Sequence, residues 1–215
     1  MAARGRESVQ PQFRIRPAKP TDVPALFQMK TALARGEGQE EVLRASERDW
    51  LRDGFGPNAR FRAFVAEAED RLCGMIVYNP FYMTALGGDV FAIQDLFVES
   101  DMRKLGIGRA LIAHVAAVAV SDGVPLIQLL VHEDNPARKF YRRLGFGHLR
   151  ECLTYAIGGQ PMLELSLAVT ETLLPRRSER AVAALRAAYA QAQDAYQHYA
   201  ERGIIDDPLL AASGA

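Results

Sequence analysis

The stretch that most constrains the fold is Asp101–Ala110, D-M-R-K-L-G-I-G-R-A, because of what stands on either side of it. Before it, Val90–Val98 is an apolar run that reads as a buried strand. After it, Leu111, Ile112, Val115, Ala116 and Ala119 recur at helical spacing. The order is therefore strand, short glycine-bearing turn, helix. Gly106 and Gly108 let the backbone curl and let a ligand approach the main chain without meeting a Cβ. The free amides of such a turn and of the helix's first residues converge on one spot, which attracts anions. Arg103, Lys104 and Arg109 add positive charge, and the simplest ligand is a pyrophosphate. A Walker loop is excluded, since no Gly-Lys-Ser/Thr occurs. A dinucleotide fingerprint lacks its third glycine.

What remains is Arg103-x-x-Gly106-x-Gly108, which resembles the pyrophosphate loop of the GCN5-related N-acetyltransferase (GNAT) family. About 40 residues on comes a second matching stretch. Asn135 follows an apolar run, and Phe140-Tyr141-Arg142-Arg143-Leu144-Gly145-Phe146 fits the family's F-Y-x-x-x-G-F. The resemblance implies an α/β fold in which two neighbouring parallel strands of a mixed central sheet splay apart around the arm of acetyl-CoA. It implies backbone pairing to that arm at Phe97 and Val98, and the pyrophosphate on Arg103, Lys104, Leu105, Gly106, Ile107, Gly108 and Arg109. It also implies an amide contact at Asn135, and Tyr141 both beside the cosubstrate and as proton donor.

The elementary chemistry agrees with those residue types. A lysine-like amine is mostly protonated at neutral pH, with a pKa of about 10.4, so a base or a water chain must take its proton. A strand N–H suits the oxyanion, and a tyrosine hydroxyl suits the departing thiolate. No covalent enzyme intermediate is required.

Within the family, Phe13–Ala18 (F-R-I-R-P-A), Asp53–Gly56 (D-G-F-G), and Y-N-P-F-Y before I-Q-D-L-F-V-E-S-D-M-R resemble the spermidine/spermine and thialysine acetyltransferases. That likeness implies a small primary amine as substrate and a homodimer. It places Glu37, Glu133 and Asp134 at the substrate's cationic tail. Those relatives carry a Glu-Asp pair on the central strand, and here it reads Gln94-Asp95. A neutral amide cannot accept the proton, so Asp95, Glu133 or a water chain is left as base. Asp95 is a poor direct substitute for its neighbour, because adjacent strand residues face opposite ways. Two rivals stand beside this reading. One is an acetyltransferase of protein lysines or N-termini, and the other is a CoA-binding module without chemistry.

The rest of the chain fits one α/β domain. Phe13–Arg16 reads as a strand, Thr21 or Asp22 as a helix cap, and Arg35–Glu41 as a loop. Ser46-x-x-Asp49 reads as a capping box. Phe61–Glu67 and Leu72–Tyr78 form a hairpin turned at Glu69-Asp70, and Pro125–Val131 is a buried strand. Asn135 caps the next helix, with Pro136 first in it. Phe146–Ile157 and Met162–Val169 make a closing hairpin, and Ser178–Arg202 a long extra helix. The division is a loose terminus over 1–11, an acetyltransferase domain over 12–170 and a helical extension over 171–215.

Totals narrow the function classes. The 26 basic and 26 acidic residues give no case for nucleic acid or an anionic membrane. Cys73 and Cys152 sit in strand-like runs and read as free buried thiols. With four scattered histidines, no metal site is expected. No apolar run reaches the roughly 20 residues a membrane span needs, and Met1–Pro11 has no apolar core after its arginines. The expected compartment is the cytoplasm.

Overall fold

Among the described residues, five strands form one sheet in chain order: β1 (Arg14–Pro17), β2 (Arg62–Ala68), β3 (Arg71–Met83), β4 (Gly88–Val98) and β5 (Ile127–Leu129). The structure, a computed structural model, describes residues 12–149. The first four strands pair antiparallel, and β4 and β5 pair parallel. Four α-helices accompany them among the described residues: α1 (Val23–Gly36), α2 (Glu47–Phe55), α3 (Ile107–Ser121) and α4 (Arg138–Arg143). The chain divides into two compact units, one of Met1–Gly38 with Ala45–Gly147, the other of Gln39–Arg44 with His148–Ala215. These strands and α-helices all belong to the first unit; among the described residues the second holds the 3-10 turn Glu40–Val42. The expected closing hairpin beyond Leu149, the long C-terminal helix and Cys152 lie outside the described residues, and residues 146–149, the described start of that hairpin, are not strand.

Alternation along the strands sends side chains to two cores. On one face Phe64, Ala66, Ile76, Tyr78, Phe91 and Ile93 pack with Ile107, Leu111 and Val115 of α3. On the other, Val65, Met75, Val77 and Phe97 pack with Val23, Leu26 and Met29 of α1 and Trp50 of α2. Burying one such side chain contributes about 1.5–3 kcal/mol. Gly74 of β3 is needed where α3 begins. A Cβ there would stand 3.0 Å from the Phe97 carbonyl and 3.2 Å from the Ile107 side chain.

Several local expectations hold in atomic detail. Glu69 and Asp70 both have positive φ, the geometry of a tight two-residue hairpin turn. Ser46 accepts from the Asp49 amide while Asp49 reaches back to the Ser46 amide, a complete capping box. Cys73 is a free, buried thiol. Other expectations are corrected. β3 runs on to Met83, and β5 is only three residues, shorter than Pro125–Val131. Asp22 makes no side-chain cap to α1; its carboxylate accepts from the Lys19 amide and from Arg16. α4 starts at Arg138 with Ala137 as its cap. Asn135 opens the turn that leads into α4, its Oδ1 accepting from the Ala137 amide at 2.9 Å and its carbonyl from the Arg138 amide at 3.1 Å, the bonds expected of a capping asparagine, although the regular helix begins later.

The sheet has one irregularity with wide effect. Tyr78 pairs with Ile93 and Val77 with Asp95, which leaves Gln94 as an extra residue on β4. This bulge inverts the alternation. Phe91 and Ile93 face α3, whereas beyond the bulge Asp95 leaves that face, Phe97 packs on the α1 side, and Leu96 and Val98 meet the α3 core.

Candidate active site

β4 loses a neighbour halfway along. Its parallel pairing to β5 covers Phe91 to Ile93 and, among the described residues, goes no further. From Gln94 to Val98 the β5-side edge of the strand has no β5 pairing, so backbone donors and acceptors of this segment are offered to whatever lies alongside. This is the splay expected of the sheet.

The open edge runs directly into the turn singled out in the sequence. Ser100–Met102 make a 3-10 turn pinned by buried Met102, and the Glu99 amide ties the strand's end to the Cys73 carbonyl at 2.9 Å. Arg103 folds back so that its Nε donates to the Val98 carbonyl at 3.0 Å. Lys104 and Gly106 both adopt the left-handed conformation, at φ 67° and 86°. Gly106 caps α3 and carries no side chain to occupy the helix's first amides. The first intrahelical bond is Ala110 to Gly106, so the amides of Ile107, Gly108 and Arg109 lie before it. Arg103, Lys104 and Arg109 are exposed around this end, and Leu105 turns half inward. A hydrogen in place of a Cβ at Gly106 leaves open space. These features fit a diphosphate: amides, a helix dipole and three cations at one place.

The second stretch meets the first at Gly108. A Cβ there would stand 3.3 Å from Cζ of Phe140, so α4 packs on the first turn of α3. The neighbouring Tyr141 is half-buried between the rings of Phe140 and Phe146, at 5.4 and 5.9 Å. Burial pushes the Tyr141 phenol above its ordinary value, and the negative charge of Glu37 pushes the same way. The phenol therefore stays protonated and remains able to donate. Glu37, at the end of α1, is exposed yet within electrostatic reach of Tyr141. Glu133 and Asp134 are exposed in the turn between β5 and α4, where the Glu133 carbonyl accepts from the Arg138 guanidinium.

A match to the sequence profile of the acetyltransferase (GNAT) family over residues 24–146 decides the assignment. This chain belongs to that family. The acetyltransferase is 33% identical to mouse thialysine N-epsilon-acetyltransferase over 165 residues, covering 71% of this chain and 96% of the relative. It is 27% identical to human spermidine/spermine N(1)-acetyltransferase-like protein 1 over 133 residues, 59% of this chain and 19% of that one. Its fold superposes on an aminoglycoside N-acetyltransferase solved in complex with CoA, with a TM-score of 0.56 and 19% identity, over 73% of this chain and 99% of that one. Membership makes the protein an N-acetyltransferase, and the resemblance to the diamine and thialysine branch read in the sequence is shown by these relatives.

In this acetyltransferase the Gln94-Asp95 pair parts company at the bulge. Gln94 is exposed, and its amide donates to Asn79 Oδ1 at 2.7 Å. Asp95 is buried, and its Oδ1 lies 2.6 Å from Nζ of Lys30, which reaches across from α1. Sequence reasoning missed this partner. The signal was there, since Lys30 stands on the flank of α1 shared with Leu26, Met29 and Leu33, an odd place for a lysine unless something anionic faces it. Among the described residues no group of His, Cys, Asp or Glu is placed to hold a metal ion, and no helix is long and apolar enough to cross a membrane.

Proposed function

We propose that this acetyltransferase moves an acetyl group from acetyl-CoA to a primary amine of a small polyamine-like or amino-acid-like substrate, by direct attack in a ternary complex. The observation that carries the reading is the open edge of β4 running into the left-handed turn at the head of α3. Phe97 and Val98 pair with the extended arm through their backbone. Arg103–Arg109 hold the diphosphate through amides and charge, and Asn135 contacts the arm from the other side. Tyr141, beside both, gives its proton to the departing thiolate. Gln94 is an amide hydrogen-bonded to Asn79 and cannot take the amine's proton, so the proton leaves through water toward Asp95 or Glu133. Glu37, Glu133 and Asp134 hold the cationic tail, a role that suits exposed carboxylates near a phenol that must stay neutral. The enzyme works as a homodimer in the cytoplasm.

Gln94 favours a second reading, a CoA-binding module without turnover. One assay separates the two. CoA release is followed from acetyl-CoA with spermidine, putrescine, thialysine, lysine, an aminoglycoside and a lysine-bearing peptide, from pH 7 to 9.5. Turnover is expected with a small diamine or with thialysine. Turnover with the peptide alone would replace the small-amine reading. A silent panel, with acetyl-CoA still raising the melting temperature, would favour the module.

A further inference from the structure

The Lys30–Asp95 pair is unusual for where it lies. The Asp95 side chain is 9% exposed and that of Lys30 26%, and the two meet between α1 and β4 in an otherwise apolar layer. A pair of apolar residues of similar volume there is often as stable or more so, because desolvating two charges offsets most of their attraction. Stability alone therefore gives little reason for it. Its position is more informative. Asp95 directly follows the bulge residue Gln94 and precedes the open-edge residues Leu96 to Val98. Lys30 is two turns before Glu37 on the same face of α1, about 10 Å along the axis. One ion pair thus joins the strand that lies along the reacting group to the helix that carries the acidic substrate contact.

We propose that Lys30 is a positioning residue for acetyl transfer. By holding Asp95 it fixes the bulged segment of β4 and, through α1, sets where Glu37 stands relative to Tyr141. Asp95 then acts through Lys30 rather than by taking the proton, which falls to Glu133 by way of water. The inference rests on the acetyl-transfer reading and adds a residue that reading did not use.

The test is a double-mutant cycle of Lys30→Met, Asp95→Asn and the double variant, with Lys30→Arg as the conservative change. Lys30→Met is expected to lower kcat roughly ten- to a hundredfold and to raise KM for the amine, with the thermal shift caused by acetyl-CoA unchanged. Lys30→Arg restores most of the loss. Asp95→Asn and the double variant fall no further than Lys30→Met, because one interaction is lost in all three. Hydrogen exchange at the amides of Ala34 to Glu37 quickens in the double variant, which keeps no unpaired buried charge and so tests the idea even if Lys30→Met fails to fold. Unaltered kinetic constants overturn the proposal. So does an Asp95→Asn enzyme far slower than Lys30→Met, which would make Asp95 a participant in its own right. A wild-type enzyme silent on every amine overturns acetyl transfer instead, and the exchange rates then decide the clamp alone: unchanged rates overturn it.

Discussion

At the scale of single residues, Tyr141 has the best-defined chemical state. Its ring is held by Phe140 and Phe146, and burial and Glu37 both raise its ionisation above the ordinary tyrosine range near pH 10. The proton is therefore held at least as firmly as on a free tyrosine, and any alkaline loss of rate from this group begins later than a free phenol would give. Tyr141→Phe keeps the ring packing and removes only the proton. Turnover is expected to fall roughly tenfold or more, with acetyl-CoA affinity nearly unchanged; steady-state kinetics beside a calorimetric titration would check both, and an undiminished rate would end the acid assignment. Residue identity was readable here because the tyrosine sits in a seven-residue pattern. The lysine facing Asp95 was not, since it lies 65 positions away and only the packing of α1 on β4 brings it close.

At the scale of elements, the turn between β4 and α3 holds two residues with positive φ, and only one of them is glycine. An L-residue in that conformation costs about 1–2 kcal/mol. Lys104→Gly should thus raise stability by about 1 kcal/mol and the melting temperature by a few degrees, and Gly106→Ala should lower both by a similar amount. Thermal melting of the two variants reads the pair. Keeping a lysine at the strained position is consistent with a use for its charge at this helix end. The turn was legible in the sequence because glycine, charge and the switch from strand to helix pattern coincide over ten residues. The bulge at Gln94 was not. It depends on how β3 and β4 pair across a long hairpin, and nothing local to Ile93–Asp95 marks an extra residue. The same limit explains β5 and α4. Both are shorter than their sequences suggest, because apolar content and a helix-starting dipeptide report what a segment tolerates rather than where pairing stops.

At the scale of the whole unit, one charge network joins its first strand to the sheet and to the start of α1. Arg16 binds Asp22 at 2.7 Å and Glu67 at 2.8 Å, and Arg14 binds Glu67 at 3.1 Å. The hydrogen bond from Arg16 holds the Asp22 carboxyl below its ordinary value, and it does the same for Glu67. Carboxyls depressed by folding stabilise above their unfolded pKa and lose that contribution as pH falls through the folded value. The melting temperature should therefore decline below about pH 4.5, and Asp22→Asn should melt lower at pH 7 yet change less between pH 7 and pH 3. An equal drop in both proteins would remove Asp22 from the account. The gap beside β4 has a consequence of another kind. A strand edge presents main-chain groups at a fixed repeat whatever side chains it carries, so the stretch of the proposed cosubstrate site along β4 would tolerate substitution better than the charged turn at the head of α3. On the proposed reading, the amine's half rests instead on side chains of α1, the β5–α4 turn and α4. On that reading, substrate choice could drift from one descendant to another while the acyl donor stays the same.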